Sequence, residues 1–313
     1  MAGANLPARK YSKKTPTVTR LSFEMTGNTT QFIDIAKALS IVNRRFYRQG
    51  LYYYVNSIEV YNNEQGVVDL HTIPDTWTTK NAWSRTFKLF QKMNALIGPP
   101  LTSGIMPKYH DFKVFMNTLH RATGSENPDL HGINAAYLSM TADDWVYPQF
   151  VSADDDQDPV ANADEFYIHM MGPHAGSADN WSSVGAIASY ADSRATVTQY
   201  SPNIDETNLP IDPLLSVFDM SSEEQFNDLL ENLGTDNDEP PYDFDDYIGE
   251  LDNHMTHVAR VGTEVGLGRV GRASGFCAPM GLICVDPQDI TSAFRVVLNL
   301  AVGTYHGVYA ERV

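Results

Sequence analysis

Residues 51–74 read LYYYVNSIEVYNNEQGVVDLHTIP, two β-rich runs joined by a polar connection that ends in Gly66. Ile58 and Val60 share a parity on the first run, and Val68 and Leu70 share one on the second. Pairing Tyr61 with Val67 across residues 62–66 sets Val60 against Val68 and Ile58 against Leu70. The spacing therefore predicts an antiparallel hairpin with one buried face. Next comes DTWTTKNAWSRTFKLFQKMNALI (75–97), where Ala82, Trp83, Phe87, Phe90, Met93 and Ile97 recur at helical spacing. Arg85, Lys88 and Lys92 fall on the opposite side of that helix.

Working outward, Leu21, Phe23 and Met25 alternate with Arg20, Ser22 and Glu24, which predicts a strand over 18–25. From Asp34 the pattern turns helical, with Ile35, Leu39, Val42 and Phe46 as the apolar stripe and Lys37, Arg44 and Arg48 across from it. Arg45 sits beside them, and Gly50 suits a C-terminal cap. Further strands are expected at 111–119, 143–151, 165–172 and 294–300, and one over 276–285 interrupted by Pro279 and Gly281. Residues 181–191 read as a short helix, and Ser221 opens another over 221–233 with Glu223 and Glu224 in its first turn. No fixed period recurs, so neither a solenoid nor a propeller is expected.

At 313 residues, 42% of them apolar, the chain can bury a sizeable core. No apolar run approaches the ~20 residues of a membrane helix, and MAGANLPARKYSKK has no apolar segment behind its charges to make a secretory signal. Cys277 and Cys284 alone do not make a disulfide framework, which fits a reducing compartment. The net charge of −17 is concentrated: residues 195–259 hold 16 acids and residues 151–165 hold 6, with no Lys or Arg in either stretch. The rest carries 17 acids against 22 bases, and residues 1–20 carry Arg9, Lys10, Lys13, Lys14 and Arg20 with no acid at all. Residues 1–17 read as a flexible basic arm suited to neutralising phosphates without reading sequence, and 195–259 as an acidic surface insertion.

Several patterns invite chemistry. Gly266, Gly268 and Gly271 match a dinucleotide fingerprint, but Gly275 and Pro279 stand where its helix should run. His169 with His174, and His254 with His257 beside Asp252, lack a metal-protease spacing, and no Gly-x-Ser-x-Gly elbow exists for Ser-His-Asp chemistry. The loops at Asp154–Asp158 and Asp236–Glu239 offer hard oxygen ligands for Ca2+ but not EF-hand spacing, so solvated loops are the plainer reading. The sequons at Asn28 and Asn180 carry no weight without an export signal. No catalytic set and no cofactor are expected.

Four blocks carry a family resemblance: IDIAKALSIVNRRFYRQG (33–50), VVDLHTIPDTWTTKNAWSRTFKLFQKMN (67–94), GFCAPMGLICVD (275–286) and LNLAVGTYHGVYAERV (298–313). Together they resemble the capsid proteins of small circular single-stranded DNA viruses that encode a replication initiator. The resemblance implies a mainly β chain, residues 18–313 forming a single jelly roll of two antiparallel sheets with short helices in the connections. It implies copies assembling into an icosahedral shell around a single-stranded DNA genome, in a virion built inside the host cell, with a host receptor and no membrane. Arg9, Lys10, Lys13, Lys14, Arg20, Arg44, Arg45 and Arg48 are the candidate phosphate contacts. The arm is less dense in Arg and Lys, and the 195–259 segment more acidic, than the family pattern. The alternatives are a non-viral jelly-roll binding protein of the carbohydrate-binding kind, and an enzyme resting on the glycine or histidine patterns.

Overall fold

The computed structural model describes residues 17–97, 109–122, 145–151, 165–177, 180–194, 247–263 and 270–313. The Ca2+ candidate loops, the 221–233 helix and residues 1–16 lie outside them. The described chain is mainly β and its two principal sheets are antiparallel. With strands numbered along the chain, the first sheet runs β1 (Arg20–Met25), β12 (Phe294–Leu300), β3 (Leu51–Tyr61), β10 (Val270–Ala278). After β13 (Val302–Tyr305), β14 (Ala310–Arg312) adds to β3. The second sheet runs β2 (Gln31–Asp34), β11 (Leu282–Gln288), β4 (Gly66–Thr72), β9 (Thr256–Thr263). A smaller mixed sheet joins β5 (Phe150–Val151), β6 (Glu165–His169), β8 (Asn180–Gly185) and β7 (Ala175–Ser177). The helices are α1 (Ile35–Asn43), α2 (Trp77–Ile97), α3 (Thr118–Ala122) and α4 (Ala186–Asp192).

The expected hairpin does not form. β3 pairs with β10, β12 and β14, while β4 pairs with β9 and β11 in the other sheet. Ile58, Val60, Val68 and Leu70 are all fully buried in one core, but from opposite sheets. The reason is geometric. Period-2 alternation identifies the buried side of a strand, and a strand beside it or a strand facing it satisfies that pattern equally. The connection is a crossing between layers, held by buried Asn62, whose Nδ2 donates to Glu64 O at 2.9 Å and Thr263 Oγ1 at 3.2 Å.

The two sheets differ in what covers their outer faces. β1 alternates between buried and accessible residues, because only its Leu21, Phe23 and Met25 side is covered. β11 buries Leu282, Ile283, Cys284 and Val285 in succession. Ile283 and Val285 join the core between the sheets, and Leu282 and Cys284 join a second core on the other side. A strand covered on both faces reads as a continuous apolar run. That second core takes Ala82 and Phe90 from α2, Ile187 from α4, Phe150 from β5, and Phe112 and Met170 from the connections. Trp83, Phe87 and Met93 pack against it, so α2 presents the expected stripe.

Other expectations shift in informative ways. The break expected inside 276–285 is a corner, Pro279–Gly281, where the chain leaves the first sheet and enters the second. Met280 holds a left-handed φ of 54° there, a conformation costing roughly 1–2 kcal/mol that its complete burial offsets. α1 starts as expected, with Asp34 Oδ1 accepting from Lys37 N at 3.0 Å, but ends at left-handed Arg44 instead of Gly50. Gly50 serves another purpose: a Cβ there would lie 2.1 Å from the Trp83 ring, so only glycine lets α2 pack this close. Residues 111–117 form no strand. Gln49 accepts from Val114 N at 2.6 Å and donates to Val114 O at 2.9 Å, and an isolated parallel bridge ties Phe115 to the end of β6. The 181–191 segment divides into the end of β8 and α4. The described end of the acidic stretch is built into the fold: Tyr247 is buried and β9 begins at Thr256.

Candidate nucleic-acid interface

The chain enters the described fold against the end of α1. Val18 N donates to Asn43 Oδ1 at 2.8 Å and Asn43 Nδ2 returns a bond to Val18 O at 3.1 Å. Thr17 Oγ1 donates to His306 O at 2.9 Å. The next residue after Asn43 is Arg44, so the first described residues, Thr17 and Val18, meet the fold next to Arg44. Arg9, Lys10, Lys13 and Lys14 themselves lie outside the described residues. Arg44 is exposed and Arg45 half-buried, and neither meets a carboxylate among the described residues. Arg48 does: its Nε lies 3.0 Å from Asp111 Oδ2, while its backbone carbonyl accepts from Tyr53 Oη at 2.5 Å.

Arg20 is placed apart from this corner, on the open face of the first sheet. Its guanidinium sits 2.8 Å from Glu59, which Arg272 also approaches at 3.8 Å, and Glu24 answers Arg295 at 3.4 Å. A phosphate arriving there competes with a carboxylate already in place. The eight candidate cations thus divide into an entry corner where Arg44 and Arg45 stand beside an Asp111-paired Arg48, a Glu59-paired Arg20 elsewhere, and four positions beyond the described residues.

Helix α2 supplies a second basic surface. Arg85, Lys88 and Lys92 are exposed, with no acid partner among the described residues. They form one rim of an open cleft of about 620 Å3 between α2 and the β6, β8 and α4 elements. Phe166, Ile168 and Val184 make its floor and Tyr190 its far wall. The rim was readable from helical spacing opposite the apolar stripe. The floor was not, because nothing in 165–190 announces that its residues face α2.

No family model, curated protein or solved structure matches this chain. The site is therefore weighed on its own geometry.

The other chemical patterns resolve into structure. His169 Nε2 donates to Pro173 O at 3.0 Å, which leaves Nδ1 to accept the Ser183 hydroxyl at 2.5 Å. Both residues are fully buried, closing this Ser–His pair to any substrate, and burial pulls the imidazole down to about 4. Burial likewise holds His120 at about 3, its ring stacked on Phe32 at 4.8 Å. His257 lies 3.2 Å from Asp69 and 5.2 Å, ring to ring, from His71. Among the described residues no three His, Cys, Asp or Glu are arranged to hold a metal. Gly271 lies within β10, a strand where the fingerprint needs a helix, and Gly266 and Gly268 lie outside the described residues. No described helix is long and apolar enough to cross a membrane.

Proposed function

We propose that this is a viral capsid protein, assembling into an icosahedral shell that encloses a single-stranded DNA genome. The observation that carries the reading is strand order. The eight strands of the two facing sheets alternate between them except at β4 and β9, which pair directly, so that β1-β12-β3-β10 stands over β2-β11-β4-β9. This order supports a jelly roll, the eight-stranded double Greek key that viral shells and lectins both use. A fold shared so widely does not choose a function by itself. The capsid reading draws further support from the family-like blocks and from the Arg44–Arg45–Arg48 corner where a basic segment meets the fold. A carbohydrate-binding protein has no use for that charge.

In this reading residues 2–16 and the entry corner hold phosphates non-specifically, with strong salt dependence. The protein's partners are its own copies, the genome and a host receptor, in a virion assembled inside the host cell. Electron microscopy of the expressed full chain is the test. Closed particles are the expected result; a stable monomer by size-exclusion chromatography would overturn it in favour of a binding module. Because Arg20 belongs to β1, the arm deletion that spares the fold is 2–16, and it should lower packaged nucleic acid while shells persist.

A further inference from the structure

We infer that the cleft between α2 and the β6–β8–α4 unit holds a stretch of single-stranded nucleic acid, phosphates along Arg85, Lys88 and Lys92 and a base against Tyr190. The choice of a nucleic acid over other polyanions rests on the function proposed above; the anion site itself rests on the following geometry.

The three cations occupy positions i, i+3 and i+7 of α2, one helical face extending over about 10 Å of axis. They are treated differently from most of the described basic residues. Arg20, Arg48, Lys80, Arg260, Arg272 and Arg295 each lie within 4 Å of a carboxylate. Arg121 and Arg194 lie over aromatic rings. No described residue lining the cleft is acidic. Three like charges at helical-neighbour spacing repel one another. An incoming anion is the simplest way to relieve that repulsion.

The second observation is the floor. A charged face that serves only solubility has no need of an apolar trough beside it, and an apolar ligand has no need of three cations. Leu89 is 44% exposed on the same helix face, and Phe166, Val184 and Tyr190 are only partly buried. A ligand with a charged edge and flat apolar faces satisfies both sides at once. A nucleic-acid strand is such a ligand, provided its bases are unstacked: a duplex hides its base faces, whereas a single strand presents them to aromatic walls. Tyr190 is braced for this, its ring edge-on to Trp77 at 6.1 Å and capped by the Arg194 guanidinium at 5.8 Å.

The experiment is fluorescence anisotropy of a labelled oligothymidylate titrated with the full chain, across a salt series. Each phosphate contact to a single strand contributes about 0.7 to the slope of log affinity against log salt. Replacing Arg85, Lys88 and Lys92 together with Ala should flatten the slope by about 2 and weaken binding about a hundredfold at 0.1 M salt. Tyr190→Leu should leave the slope unchanged while weakening binding at least fivefold. The Arg272→Ala, Arg295→Ala double variant, at carboxylate-paired arginines of the open sheet, serves as a control and should bind as wild type. All these positions are at least partly exposed, and circular dichroism confirms that each variant is folded.

An unchanged slope and affinity in the triple variant overturns the cleft, whether or not shells form. Equal binding of a duplex of the same length, or full competition by polyglutamate of matched charge with Tyr190→Leu silent, overturns the nucleic-acid assignment. If oligonucleotide binding is lost in the triple variant while no particle is ever seen, the cleft stands and the capsid reading falls.

Discussion

The outer faces of the two principal sheets are built on opposite plans. The first sheet leaves its outer face open, and there each arginine is answered in place: Arg20 and Arg272 by Glu59, Arg295 by Glu24. The second sheet is roofed by a further apolar core, and the helix that forms much of that roof carries Arg85, Lys88 and Lys92 with no described acid to answer them. One face is finished as a surface; the other uses its cover to display charge. Neutralised arginines give solubility and register across strands, whereas displayed ones remain available to a ligand. The contrast is more informative than the net charge of −17, which would have argued against any polyanionic partner.

The two plans differ most at the roof. Phe112 meets the rings of Trp83, Phe87, Phe90 and Phe150 at 5.6–6.2 Å. Phe112→Ala should therefore destabilise the protein by about 3–5 kcal/mol, as core aromatic truncations do. Urea midpoints with an unchanged slope would report it. A loss below about 1 kcal/mol would mean that the roof is a loosely docked layer and that its cations have no fixed platform.

Acid should act on the same layer. His120 and His169, held by burial at about 3 and about 4, stay neutral in the folded chain but take up protons once unfolded. Their folded affinities for the proton are depressed, so stability falls as pH drops below about 6.5 toward 4. Asp34 opposes them. Burial raises it to about 6, so the folded state holds its proton where the unfolded state does not, and stability rises as pH falls from 6 toward 4. Two protons against one leave a net loss of roughly 1 kcal/mol per pH unit over that window. Unfolding midpoints measured from pH 7 to 4 would trace it. Asp34→Asn, which removes the opposing contribution, should steepen the loss to roughly double. A flat profile would mean that these histidines are solvated.

Much of this plan was readable in advance, and the failures share a cause. Alternation in β1 and β12, the α2 stripe and the helical pattern that begins at Asp34 are local periodicities, and each appears close to where the residues place it. What local pattern lacks is partner identity. Ile58 and Leu70 were correctly sorted to one core yet assigned to one sheet, and the Pro279–Gly281 break looked like a flaw in a strand when it is the corner between sheets. Gly50 looks like a cap in the sequence because its real neighbour, Trp83, is far along the chain. The candidate site divides the same way. The α2 rim is periodic and legible, while the floor from Phe166 and Val184 exists only because β6 and β8 pair in parallel beside the helix.

The smallest expected effects test the contrast by their sign. Glu59→Gln strands two exposed arginines on the open sheet and should cost up to about 1 kcal/mol, the range of surface ion pairs. Lys88→Ala should do the reverse. Lys88 lies three residues from Arg85 and four from Lys92, so its removal relieves two like-charge neighbours worth roughly 0.2–0.5 kcal/mol each. Ala is also the better helix former. Lys88→Ala should thus be neutral or slightly stabilising in urea, with the gain shrinking as salt is added. If Lys88→Ala instead destabilises the chain as Glu59→Gln does, the lysine is held by a structural partner and the α2 face is finished like the open sheet. If the signs are opposite, the three cations are kept on α2 against the helix's own preference, as a surface held ready for an anion would require.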